Sequence, residues 1–252
     1  MERRANDERE NLREAARLCV APVPDSSSRR RFLCTAAGAL GSILAPKDVW
    51  AQTDQRRSRR LLASVPQTRR LDFLVLRNGS DFGKHSVVFT ENGDELKVEI
   101  DIELRYQLGF LTLFRYVHHN TEIWRGERLV SLDTKTDDDG TPYRVSCRAD
   151  GDKAVVNTPA NQLVVPGGLI PASYWNIATV NQKNLLNTQT GEISKVDVTE
   201  MGPDKNPAPG APGDARRYRM TGDLDLNLWY SQDVWVKIQF EIRGQDIKYV
   251  RL

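Results

Sequence analysis

Between Leu96 and Tyr106 every second side chain is apolar. Leu96, Val98, Ile100, Ile102, Leu104 and Tyr106 are separated by Lys97, Glu99, Asp101, Glu103 and Arg105. A strand sends successive side chains to opposite faces, so this phase makes one apolar and one charged face. A helix would scatter the same apolar residues around its axis. The pattern returns in Tyr218, Met220, Leu224, Leu226, Leu228 and Tyr230, with Gly222 in the missing slot. It returns again in Val234, Val236, Ile238, Phe240 and Ile242, which places Trp235, Lys237, Gln239 and Glu241 on the opposite side.

Residues that tolerate positive φ fall between these runs. Asn78-Gly79, Asn92-Gly93, Asp139-Gly140 and Asp150-Gly151 are hairpin-turn pairs, and Arg125-Gly126 and Thr190-Gly191 are weaker ones. Strands are expected over about 71–77, 83–91, 95–106, 113–124, 128–136, 142–149, 153–157, 193–200, 215–230, 234–243 and 246–252. The expected fold is all-β: an antiparallel meander of about ten or eleven strands forming a barrel or a strongly curved half-barrel. A two-sheet β-sandwich is the alternative. The only helix expected after residue 52 is a short one within 174–187. Pro166 to Asn176 is apolar, aromatic and turn-rich, suited to covering a barrel mouth or plugging a core. Met201 to Asp214, with four prolines and three glycines, is an exposed loop.

Charge divides the chain into three parts. The total is 36 Lys+Arg against 34 Asp+Glu, a formal +2. Residues 1–51 carry +2, residues 52–70 carry +5 and residues 71–252 carry −5. The balance gives no bulk reason to expect nucleic acid or an anionic membrane as a partner. The first part resembles an export signal: Ser28-Arg29-Arg30-Arg31-Phe32-Leu33 fits the bacterial twin-arginine pattern, with Arg29 and Arg30 as its pair. An Ala- and Gly-rich apolar stretch runs on to Ala45, too short to span a bilayer. Val49-Trp50-Ala51 supplies a cleavage site. These features predict passage through the twin-arginine translocase, cleavage near Ala51 and a periplasmic mature chain without a transmembrane segment. The stretch before the arginine motif is unusually long for such a signal.

The expected organisation is therefore a signal at 1–51, a flexible Arg-rich linker at 52–70 and one β domain at 71–252. Cleavage leaves Cys147 as the only cysteine, which excludes an internal disulfide and suits a small buried side chain. A monomer is expected.

The densest polar and aromatic run is Phe114 to Trp124. On a strand, Phe114, Tyr116, His118, Asn120, Glu122 and Trp124 share one side. Aromatic bodies beside hydrogen-bonding tips suit a small-molecule pocket. The candidate ligand-binding residues are Tyr116, His118, Glu122, Trp124, Tyr174 and Trp175, for a lipid or another small amphipathic molecule. An exposed face packed against its neighbours is the plainer alternative. His118 and His119 point to opposite faces, so only His118 and Glu122 can converge, and no metal or other cofactor is expected. No nucleophile elbow, P-loop or dinucleotide fingerprint is present. A ligand-binding envelope protein is the first expectation, an envelope protein–protein interaction module without ligand is the alternative, and both are favoured over a cofactor-dependent enzyme.

Residues 71–252 resemble a family of exported bacterial proteins of unknown function. The resemblance rests on Thr121-Glu122-Ile123-Trp124, Leu129-Val130-Ser131-Leu132-Asp133, Ser173-Tyr174-Trp175-Asn176, and Gly222-Asp223-Leu224 through Trp229-Tyr230. It implies β architecture and carries no activity. A looser similarity to curved-sheet carriers of lipids and lipoproteins in the bacterial envelope is one of shape alone.

Overall fold

The computed structural model describes residues 2–18, 61–204 and 214–252. The arginine motif, the cleavage site, residues 52–60 and most of the proline loop lie outside the described residues. One sheet of fifteen strands dominates. Its first half is β1 (Arg70–Arg77), β2 (Ser80–Asn92), β3 (Glu95–Leu108), β4 (Leu111–Arg125), β5 (Arg128–Asp138), β6 (Thr141–Asp150), β7 (Lys153–Asn157) and β8 (Gln162–Pro166). Then come β9 (Ile170–Pro171), β10 (Asn184–Leu186), β11 (Ile193–Asp204), β12 (Ala215–Gly222), β13 (Leu226–Ser231), β14 (Val234–Ile242) and β15 (Gln245–Arg251).

The spatial order is β8 to β1 in descending sequence, then β15 down to β9. Two meanders are thus joined where β1 pairs antiparallel with β15. All pairings are antiparallel except β9 with β10. The edge strands β8 and β9 are not hydrogen-bonded to each other, yet only residues 167–169 connect them. So short a connector forces the two edges of the sheet towards one another, because each residue spans at most about 3.6 Å. The result is a curved half-barrel, as the alternation predicts.

The turns form for the expected reason. Asn78 and Gly79 both take positive φ, as do Asp139 and Gly140, which matches the right-handed twist of the flanking strands. Gly83 answers a different demand. A Cβ there would lie 2.0 Å from the Glu103 carbonyl oxygen, so only glycine lets β2 approach β3 at that point.

The strands differ from expectation in detail: β8, β9 and β10 are additional, and β11 runs on to Asp204, into the stretch expected as an exposed loop. The single run predicted over 215–230 breaks at Asp223–Asp225. Gly222 takes φ +108°, and the Asp223 carboxylate accepts the Lys195 backbone N–H at 2.8 Å, which turns the chain while Leu224 stays buried. In β14 the register slips: Tyr230 pairs with Trp235 but Trp229 pairs with Lys237, leaving Val236 as an extra residue. The bulge turns Trp235 into the main core, against the alternation that places it outside. Val236 joins Trp229 and Ala215 in a separate small cluster.

Both ends of the half-barrel are covered. α1 (Glu2–Leu18) buries Leu12, Ala15 and Ala16, the i, i+3, i+4 stripe of an amphipathic helix. Around that stripe, Glu8 pairs with Arg77 at 2.9 Å, Arg13 with Asp139 at 3.5 Å, and Glu14 with Arg243 at 2.5 Å. These partners sit at the β1–β2, β5–β6 and β14–β15 turns, so α1 lies across one end. At the other end, Leu61, Ser64 and Val65 are buried, and Ser64 Oγ accepts the Ile177 N–H at 3.0 Å. The segment expected to be free up to residue 70 is therefore packed from Leu61. The helix expected within 174–187 is a 3-10 turn, Ile177–Asn181, capped by the Asn176 side chain.

Candidate functional site

β4 carries the polar–aromatic run into the core. Phe114, Tyr116, His118, Asn120, Glu122 and Trp124 all face inward and are buried. The segment Ser173–Asn176 enters from the covered end and brings Trp175 beside them. Tyr174 holds φ +62°, a conformation that bulky side chains rarely adopt, which turns the chain so that the next side chain points into the interior. Its carbonyl accepts the Tyr230 hydroxyl at 2.6 Å. Burial, then the neighbouring Tyr174 and Tyr218, push the Tyr230 hydroxyl well above its usual pKa.

Glu122 is the centre of this cluster. Its Oε2 accepts the indole N–H groups of Trp124 at 2.8 Å and Trp175 at 3.0 Å, and its Oε1 accepts the Asn120 amide at 2.8 Å. Burial raises its pKa, while hydrogen bonds from Trp175, Trp124, Ser173 and Asn120 pull it back down. The two indoles meet edge to face at 5.6 Å, and Phe89 stacks edge-on against Trp175 at 5.3 Å. A carboxylate with its acceptor sites filled from within the chain holds the plug segment in place.

A second polar cluster lies about 13 Å along the strand from Glu122, four residues at about 3.3 Å each. His118 Nδ1 shares a 2.7 Å hydrogen bond with Thr136 Oγ1. Tyr116 donates to Gln189 Oε1 at 3.1 Å, and Gln189 Nε2 donates to Asp138 at 3.3 Å. Thr134 Oγ1 donates to the Thr188 carbonyl at 2.7 Å. The loop Asn187–Gly191 supplies Thr188 and Gln189, and β5 supplies Thr134, Thr136 and Asp138. The Asn187 side chain accepts the N–H groups of Gln189 and Thr190, so the loop is tied to itself before it packs. Thr188 and Gln189 join the site with no signal in the sequence, since their Asn-Thr-Gln-Thr-Gly run has the composition of an ordinary turn.

The six candidates thus divide into groups. Glu122, Trp124 and Trp175 touch one another, and Tyr116 stacks on His118 at 6.4 Å. Tyr174 lies instead beside Trp235, at 6.1 Å. All six are 0–1% exposed. His118 and Glu122, the pair that alternation allows to converge on a metal, serve separate clusters. No group of three or more His, Cys, Asp or Glu among the described residues is placed to hold a metal ion.

A third histidine completes the interior. His85 packs between Trp235, Tyr249 and Phe73 at 5.3–6.1 Å, and neither ring nitrogen has a hydrogen-bond partner among the described residues. Burial lowers its pKa to about 3. The His118 pKa is lowered to about 3 as well, by burial first and then by His85 and His119. Cys147 is buried, and burial raises its thiol pKa. In the break between β12 and β13, Asp225 is paired with Arg219 and the Asp223 carboxylate accepts the Lys195 backbone N–H, so the two carboxylates serve local structure.

Comparison with known proteins places the chain by family. The sequence profile of a family described as a domain of unknown function (DUF6134) matches residues 73–252. No curated protein matches at a significant level. Among solved structures, a β-barrel-like protein of the domain of unknown function DUF1849 from Brucella abortus is similar at 9% identity and a TM-score of 0.49. The match covers 73% of this chain and 95% of that one.

Proposed function

The chain belongs to the DUF6134 family of domains of unknown function, and from that premise we propose that it is an exported, monomeric envelope protein that binds its partners from outside a filled half-barrel. The observation that carries this reading is Glu122. Its oxygens are engaged by Trp124, Trp175 and Asn120, and all six interior candidates are 0–1% exposed. Any occupant of that space would have to displace Trp175, which breaks its hydrogen bond to Glu122 and costs about 1–3 kcal/mol or more for the indole donor left buried without an acceptor. The resemblance of Ser28–Leu33 to a twin-arginine export signal supports the periplasm as its place. Among the described residues no helix is long and apolar enough to cross a membrane.

The competing reading is an interior site for a lipid or small amphipathic molecule, favoured by the aromatic and polar side chains that the core gathers. Native mass spectrometry of protein isolated from the periplasm separates the two. We expect the mass of a chain beginning at Gln52, without an adduct. A stoichiometric adduct released by organic extraction would establish the interior site instead. Recovery of the uncut chain from the cytoplasm alone would overturn export.

A further inference from the structure

The outer face of the same strands carries charge that the described residues do not neutralise. His119, Lys135 and Arg144 form one row across β4, β5 and β6, with Lys135 directly opposite both His119 and Arg144. Cations facing each other across a ladder are destabilising. Neither Lys135 nor Arg144 has a carboxylate partner among the described residues, although exposed carboxylates are near. Asp133 is engaged by both contacts of Arg148 at 2.8 Å, and Asp101 by His119.

The adjacent row is Thr121, Asp133, Ser146 and Asn157, one register step along the same strands. Together the rows line a groove of about 540 Å³ that runs to Thr158 and Pro159 at the end of β7. That volume suits a small ligand.

We propose that this groove binds a phosphorylated polyol, with the phosphate between Lys135 and Arg144 and the polyol hydroxyls along Thr121, Ser146 and Asn157. Two opposed cations supply charge-assisted hydrogen bonds to the anion. The hydroxyl and amide row offers both donors and acceptors, which polyol hydroxyls need. With the anion bound, the repulsion between Lys135 and Arg144 becomes attraction to a shared partner. The site needs neither export nor a filled interior, so it stands apart from the reading above.

The test uses the full chain. Glycerol 3-phosphate and inorganic phosphate are titrated in solution, and sedimentation is measured with vesicles of phosphatidylglycerol in phosphatidylcholine and of phosphatidylcholine alone. The protein is compared with the Lys135→Gln/Arg144→Gln double variant, the Lys135→Arg variant, and Lys84→Gln as an exposed control on β2. We expect glycerol 3-phosphate or the phosphatidylglycerol headgroup to bind. The double variant should lose about tenfold or more in affinity. Lys135→Arg should retain binding and Lys84→Gln should leave it unchanged. Binding of the free phosphate ester identifies a soluble ligand, and binding of the charged vesicles alone identifies a lipid headgroup. No binding in either arm, or equal binding by the double variant, overturns the proposal.

Discussion

The two faces of β4 and its neighbours are built from residues one position apart and follow opposite rules. Inside, Glu122 is held by two indoles and an amide, His118 by Thr136, and Tyr116 by Gln189. Outside, Lys135 and Arg144 face each other without a carboxylate partner among the described residues. Burial explains the contrast. An unpaired polar group in the core costs its full desolvation, whereas an unpaired cation in water costs little. Side chains that nothing inside the protein compels to pair are the ones left free to meet a ligand.

The contrast breaks most visibly if an inner residue can be removed cheaply. Trp175→Ala should cost about 3–5 kcal/mol, because it opens a cavity and strips a donor from Glu122. Glu122→Ala should fall in the same range by leaving both indole N–H groups buried without an acceptor. Chemical denaturation measures both, and a loss below about 1 kcal/mol in either would mean that the interior is not held as described.

Acid should act on the inner face next. His85 and His118 titrate near 3 when folded and near 6.5 when unfolded, so the unfolded chain binds more protons as the pH falls below that value. Stability is therefore highest above about pH 6.5 and declines towards pH 3. Each histidine removes about 2 kcal/mol by pH 5, at 1.36 kcal/mol per pH unit. Glu122 has the opposite sign. Its raised pKa means that stability present at low pH is lost as the pH rises through the folded value, which blunts the acid loss without reversing it. His85→Phe should flatten the pH profile by its share and leave stability at neutral pH equal or higher, since no hydrogen bond is lost. An unchanged slope would place the proton elsewhere.

Much of this was legible in the sequence. Alternation in β3 and β4 named which side chains share a face, and Asn-Gly and Asp-Gly pairs placed the hairpins. What alternation could not carry was depth. It put Tyr116, His118, Glu122 and Trp124 on one side, but Gln189, which accepts from Tyr116, and Trp175, which donates to Glu122, lie fifty or more residues away. Trp235 was assigned to the wrong face because a one-residue bulge shifts the phase, and no residue type in Ser231–Lys237 signals it. The stripe of Leu12, Ala15 and Ala16 in α1 was readable by its spacing. It was hidden by the long polar stretch in which it lies.

Smaller effects sharpen the comparison at its margins. A chain beginning at Gln52 loses α1 and its buried Leu12, and should be about 1–3 kcal/mol less stable than the full chain. Thermal denaturation of the two chains checks this, and equal stability would mean that α1 does not seal that end. On the outer face, Lys135→Gln should change stability by less than about 0.5 kcal/mol, within the range of ordinary surface substitutions. A large loss there would show that Lys135 is structural.

The central claim is that the interior is closed by the protein's own side chains. Its most direct test is the pair of indole N–H signals of Trp124 and Trp175, observed by nuclear magnetic resonance with exchange into heavy water. Bonded to a buried Glu122, both should exchange slowly and keep their positions when bacterial lipid extract is added. Rapid exchange, or a shift of either signal on adding lipid, would contradict the account.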